Sequence, residues 1–147
     1  MQSMKAIVTG GAGFIGSHIV DRLLGMNWDV VVIDDFSSGR KENLPDHKNL
    51  EIIRKSVCDN LTKEFRGIDV VFHLAAIPQV QFSIENPIET HKVNVNGTLN
   101  LLEHARKAGT KRFVFSSSSA IYGDQDKLPL KESMIPCPLS PYAAQKL

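Results

Sequence analysis

Cysteine is scarce in this chain: Cys58 and Cys137 are the only two in 147 residues, far apart and without CxxC spacing. That excludes a disulfide framework and a zinc knuckle, and the expectation is reduced thiols in a cytoplasmic protein. The five histidines are scattered, so no metal site is expected. Charge of one sign is lacking too. Seventeen basic residues against sixteen acidic ones leave a net charge of +1, with no run of either sign. This removes the electrostatic case for a nucleic-acid or membrane-surface partner. No apolar stretch approaches the roughly 20 residues of a membrane span, and the N-terminus shows no secretory h-region. There is no internal repeat and no low-complexity tract. Met1, Gln2 and Ser3 precede a second methionine, Met4, and read as a short extension before the first strand.

What the chain does have is an alternation of short β-branched runs with helical patterns, the mark of parallel βαβ units. Lys5 to Thr9, Val30 to Ile33, Leu50 to Ile53, Asp69 to Leu74 and Arg112 to Ser116 read as five strands. Helical spacing runs from Phe14 to about Met26, weakly from Leu61 to Phe65, and over a long helix from Pro87 to Lys107. On that helix the apolar residues form two stripes, one for the sheet and one left for another surface. A proline-rich loop then leads to Ser140-Pro141-Tyr142, which reads as a helix start. Right-handed crossovers give an α/β fold, a Rossmann-type doubly wound parallel sheet ordered 3-2-1-4-5. Its strand order reverses between strands one and four, so a ligand crevice is expected at their carboxyl ends. Residues 1–147 read as one nucleotide-binding domain.

Gly10, Gly13 and Gly16 fall between the first strand and the first helix. Glycine there allows a tight turn, close approach of backbone to a pyrophosphate, and close packing of helix on strand. The helix N-terminus then offers unpaired N–H groups and the positive end of its dipole to the phosphates. Asp34 ends the second strand eighteen positions after Gly16, near the separation of about 20 that a dinucleotide site calls for. A carboxylate there accepts from ribose hydroxyls and repels a 2′-phosphate, which favours NAD over NADP.

Tyr142 and Lys146 are four apart and share one face of a helix. An ammonium beside a phenol stabilises the phenolate, and such a tyrosine can take a proton from a hydroxyl as hydride leaves the same carbon. Ser116 to Ser119 end strand five at the edge where ligands bind, and a hydroxyl there can bond the reacting oxygen.

Taken together, Thr9-Gly10-Gly11-Ala12-Gly13-Phe14-Ile15-Gly16, His73-Leu74-Ala75-Ala76, Asn94-Val95-Asn96-Gly97-Thr98, Ser116 through Gly123 and Ser140 through Lys146 resemble the motifs of a known family, in its order. It is the extended short-chain dehydrogenases/reductases, in the NAD-dependent sugar-nucleotide epimerase/dehydratase group. The resemblance implies NAD contacts at Gly10, Gly13, Phe14, Ile15, Gly16, Asp34, Leu74, Ala75, Ala76, Asn96, Tyr142 and Lys146, with Asp35, Ser56, Val57 and Ser116 completing the cofactor set. It puts the catalytic hydroxyl at Ser118, with Ser117 and Ser119 as alternatives. Tyr142 is then the base and acid, and Lys146 its electrostatic partner. Dehydratases of the group carry an Asp-Glu pair, and decarboxylases a Glu, where this chain has Ser119 and Ala120. What remains is 4-epimerisation of a UDP-hexose, plain or N-acetylated, by transient oxidation and hydride return. A non-catalytic NAD-binding module and another sugar-nucleotide oxidoreductase are the alternatives. Two positions depart from the pattern: Ser56 stands for the usual Asp after strand three, and Pro78 for a Lys near the cofactor. The resemblance also implies a longer protein with a C-terminal substrate domain that is absent here. It implies a two-fold homodimer in the full-length form and no epimerisation by these 147 residues alone.

Overall fold

The computed structural model describes residues 3–147; Met1 and Gln2, the start of the expected extension, lie outside the described residues. Five parallel strands, β1 (Lys5–Thr9), β2 (Asp29–Asp34), β3 (Leu50–Arg54), β4 (Val70–His73) and β5 (Arg112–Phe115), form one sheet in the order β3-β2-β1-β4-β5. The expected order therefore holds. β1 pairs with β2 on one side and β4 on the other, so that Thr9 stands beside both Ile33 and His73.

Side chains alternate between the two faces of a strand, and both faces here are covered. Ile7, Val31, Ile33 and Val71 pack with Leu61, Phe65, Leu101 and Ala105. Ala6, Val8, Val30 and Val32 pack against Val20, Leu23 and Leu24 of helix α1 (Phe14–Gly25). Burial on both faces is why β1, β2 and β4 read as continuous apolar runs rather than as alternating ones, while the edge strands β3 and β5 are half exposed.

Two expectations about the helices are corrected, and one helix is added. Leu61 to Phe65 lie in turns, with one helix-like bond, from Phe65 N–H to the Leu61 carbonyl at 3.2 Å. Their apolar side chains anchor a loop in the core rather than marking a helix. A short helix unseen in the sequence, α2 (Val80–Glu85), precedes the long one. The long helix itself is three pieces: α3 (Pro87–His91), a π-helical stretch (Lys92–Gly97) and α4 (Thr98–Ala108). The widened turns coincide with tight packing at Gly97, where an added Cβ would lie 2.6 Å from Val57 Cγ2. Such π-turns gather at functional sites, and this one borders the cleft described below. The two apolar stripes also separate as expected: Leu101 and Ala105 are buried, whereas Ile88, Leu99 and Leu102 face outward.

Candidate cofactor and catalytic site

An open cleft of about 910 Å³ lies at the carboxyl ends of the strands, where the order reverses between β1 and β4. Its floor is the glycine loop. Gly10 takes φ +67°, and its N–H donates to the Ile33 carbonyl at 2.9 Å. A Cβ on Gly10 would stand 2.8 Å from the Ala75 backbone nitrogen, and one on Gly16 would overlap the Gly10 carbonyl oxygen. The loop can therefore press against β4 and α1 only as glycine. The first intrahelical bond of α1 runs from Ser17 N–H to the Gly13 carbonyl, which leaves the N–H groups of Phe14, Ile15 and Gly16 at the cleft mouth.

Asp34 is buried at the end of β2. Its Oδ2 accepts from Ala12 N–H and its Oδ1 from Phe36 N–H, each at 2.9 Å. The carboxylate thus joins the glycine loop to the loop after β2. That second loop also donates to the Ala12 carbonyl, from Arg40 N–H and Asn43 Nδ2. Ser37, Ser38 and Gly39 line the cleft beside it, an extension of the acid's neighbourhood that sequence spacing did not reveal. Asp35 also lines the cleft and accepts from Ser37 N–H.

Most of the expected positions converge. Gly10, Gly13, Phe14, Ile15, Gly16, Asp34, Asp35, Val57, Leu74, Ala75, Ala76, Ser116, Tyr142 and Lys146 all line this one cleft. Three expected residues lie outside its lining. Ser56 is committed to a turn, its N–H donating to Asp59 and its hydroxyl accepting from Cys58 N–H. Asn96 is exposed on the π-helical stretch, and the buried asparagine is Asn94. Asn94 Oδ1 accepts from Ile77 N–H at 2.8 Å, and its Nδ2 donates to the Ile77 carbonyl and to Gln145 Oε1. Ser118 caps a 3-10 turn over Ser119–Tyr122, its hydroxyl oxygen accepting from Ala120 N–H at 3.2 Å. Ser117 instead faces the cleft and donates to the Lys146 carbonyl at 2.7 Å.

Tyr142 and Lys146 are carried by α5 (Pro141–Gln145) and the residue that caps it. Ser140 accepts from Ala143 N–H and Pro141 occupies the first helical position, a start signal readable from sequence. Tyr142 N–H donates to Ser83 Oγ of α2 at 3.0 Å. Lys146 is 3% exposed, with Nζ 4.2 Å from the centre of the Phe115 ring. Burial holds its ammonium down to about 8, from an ordinary 10.5.

The unfolded chain keeps that proton up to its ordinary value, so it binds more protons than the folded one between about pH 8 and 10.5. Stability linked to this group therefore rises with pH across that window, and its cost is fully present at pH 7. Lys146→Met is expected to raise Tm at pH 7 by about 2–4 °C, with the gain shrinking toward pH 10. Thermal melts at the two pH values check this, and a variant less stable than wild type at pH 7 would refute it.

Among the described residues no group of three or more metal-binding side chains occurs, and no helix is long and apolar enough to cross a membrane. Compared with known families, residues 6–147 match the NAD dependent epimerase/dehydratase family. The chain belongs to that family. It is 44% identical over 152 residues to the UDP-glucose 4-epimerase of Mycolicibacterium smegmatis, a match covering 98% of this chain and 48% of that protein. Among solved structures, UDP-N-acetylglucosamine 4-epimerase from Methanobrevibacter ruminantium, bound to UDP-N-acetylmuramic acid, superposes with a TM-score of 0.93 at 46% identity. That match covers 99% of this chain and 48% of that one. The Thermus thermophilus UDP-glucose 4-epimerase complex with NAD gives a TM-score of 0.89 at 42% identity, over 97% of this chain and 47% of its own. This epimerase-family chain thus spans about half the length of those relatives.

Proposed function

We propose that the full-length protein interconverts the C4 epimers of a UDP-hexose, and that these residues form its NAD-binding and proton-transferring half. The observation that carries the reading is convergence. The glycine loop, the buried Asp34, and the pair Tyr142 and Lys146 line one cleft at the switch point of the sheet.

The family's cofactor is NAD, and the cleft fits it on its own geometry. The loop admits no Cβ at Gly10 or Gly16, helix N–H groups stand where a pyrophosphate is neutralised, and a carboxylate stands at the ribose end. When bound, NAD supplies a hydride acceptor for a sugar carbon and gives the hydride back. Tyr142 receives the proton of the substrate's 4-hydroxyl and later returns it. Lys146 holds positive charge at the foot of the same helix, which favours a negative phenolic oxygen. Ser116 and Ser117 line the cleft; the resemblance assigns the hydroxyl that bonds the sugar oxygen to Ser118, whose oxygen accepts from Ala120 N–H and whose own proton is left to donate. Ser119 and Ala120 provide no carboxylate at the strand-five end, so elimination of water lacks a general acid there. We assign the nucleotide-sugar to a domain following residue 147. A two-fold dimer would cover the outward apolar face of α3 and α4.

Conversion of UDP-galactose to UDP-glucose by the full-length protein tests the assignment. NAD binding without any interconversion of plain or N-acetylated UDP-hexoses would instead favour a non-catalytic module. The cofactor part has its own test. Asp34→Ser is expected to weaken NAD by about tenfold while leaving NADP nearly unchanged, narrowing the gap between them. Calorimetry that finds equal affinities in the wild type would sink the NAD preference.

A further inference from the structure

Thr9 and His73 end β1 and β4 side by side, beneath the cleft and outside the chemistry proposed above. His73 is 1% exposed, and both its ring nitrogens are engaged: Nδ1 is 2.7 Å from Thr9 Oγ1, and Nε2 is 2.8 Å from Thr98 Oγ1. The direction of each bond follows from its neighbours. Thr98 Oγ1 lies 2.6 Å from the Asn94 carbonyl, which can only accept, so the Thr98 proton points there. Without a proton between them, two oxygens that close would repel. The Thr98 oxygen must then accept from His73 Nε2–H. His73 Nδ1 is left bare and accepts from the Thr9 hydroxyl. The Thr9 oxygen in turn accepts from Leu74 N–H at 3.2 Å and Ala75 N–H at 3.3 Å. Every proton points one way, from the main chain of Leu74 and Ala75 to the π-helical carbonyl of Asn94.

We infer that His73 is a positioning residue, whose neutral Nε2–H tautomer locks the cofactor-facing turn at Leu74 and Ala75 in register with the π-helical stretch at Asn94. The inference rests on the reading of the cleft as an NAD site. Asn94 extends the linkage, since its amide grips both main-chain groups of Ile77 and the Gln145 side chain beside Lys146. One series of bonds therefore ties the cofactor wall to the segment that carries the redox pair.

The surroundings of the ring keep it neutral. From β1 it meets Thr9, from α4 Thr98, and from β5 Phe113 and Phe115 at centroid distances of 5.9 and 5.6 Å. The charged group that faces it is Lys146, whose Nζ stands over Phe115. Burial first, and Lys146 second, push the imidazole down to about 3. A proton on Nδ1 would confront a Thr9 oxygen already accepting twice, and would add a second cation against the Phe115 ring.

The decisive measurement is nitrogen NMR of the His73 ring in the full-length protein without cofactor. The expected result is the Nε2–H tautomer, unchanged from about pH 5.5 to about pH 9. An Nδ1–H tautomer, or titration within that range, would overturn the inference, and this readout needs no variant to fold. His73→Asn keeps an acceptor for Thr9 but falls short of Thr98, whereas His73→Gln reaches Thr98 and abandons Thr9. Each is expected to raise the Kd for NAD by about tenfold and to lower kcat more than it changes KM for the UDP-sugar. A loss of Tm alone, with NAD affinity and the pH profile of kcat unaltered, would also overturn it. Should the wild type bind NAD yet epimerise nothing, the proposed activity fails, while tautomer and NAD affinity still decide the role of His73.

Discussion

Tyr142→Phe is expected to lower the proposed UDP-hexose 4-epimerisation of the full-length protein by a factor on the order of 10² to 10⁴, the range for removing a general acid and base, with folding intact. Both halves of that expectation come from the structure. The tyrosine is held by its main chain, through its N–H bond to Ser83 Oγ, so losing the phenolic oxygen leaves α5 in place. The oxygen itself is what the chemistry needs, because a phenyl ring can neither take nor return the proton of a sugar hydroxyl. Turnover should therefore collapse while Tm and NAD affinity stay near wild type. A Phe variant turning over UDP-galactose at wild-type speed would remove Tyr142 from the mechanism. Single alanine variants at Ser116, Ser117 and Ser118 belong in the same experiment. The resemblance favours Ser118, yet the cleft is lined by Ser116 and Ser117, and Ser117 already donates to the Lys146 carbonyl. The loss expected at Ser118→Ala exceeds that at the other two.

How far the sequence could be read depended on how local each signal was. β1, β2 and β4 were legible because burial on both faces writes an unbroken apolar run. The half-exposed edge strands β3 and β5 were legible by their β-branched and aromatic residues, and the order followed from the handedness of the crossovers. The glycine loop and Asp34 were legible for a related reason: backbone sterics and one carboxylate act at fixed spacing along the chain. Legibility stopped where spacing carries no information about direction. Asn94 and Asn96 are two residues apart in one motif, and only the π-helical geometry of Lys92–Gly97 decides which is buried. Four consecutive serines present the same difficulty, since the 3-10 turn after β5 sends Ser118 into a cap while its neighbours face the cleft. Ser56 was named a cofactor contact from its place after β3; in the fold its N–H and hydroxyl oxygen are engaged in its own turn, which leaves the hydroxyl proton as its free donor. α2 was hidden because it is short and starts without a side-chain cap. It nevertheless supplies Ser83, which holds the backbone of Tyr142. The His73 linkage was beyond reach as well, since it joins residues from four parts of the chain that meet only after folding.

Gly16→Ala should weaken NAD binding severely and lower stability together. An alanine Cβ at this position would overlap the Gly10 carbonyl oxygen and lie 2.8 Å from Gly11 Cα and 2.9 Å from the Gly10 carbonyl carbon. All three are backbone atoms, so no side chain can swing aside. The Gly10 oxygen is also fixed from the other side, accepting from Gly13 N–H at 3.1 Å. Relief can come only by moving the N-terminus of α1 off β1, and that N-terminus is the proposed phosphate site. Overpacking of this kind costs about 1–3 kcal/mol, and NAD affinity is expected to fall by roughly 100-fold or more, given how steeply an anion's attraction to helix N–H groups declines with distance. Gly25→Ala is the matching control. It lies at the other end of the same helix, where an added Cβ meets no atom within 4 Å, and alanine is favoured over glycine in a helix by about 1 kcal/mol. That variant should keep its NAD affinity and be no less stable than wild type. Thermal melts and calorimetry on the two variants separate a steric effect at the loop from a general sensitivity of α1. Wild-type NAD affinity in Gly16→Ala would mean that the phosphates are not bound at this turn.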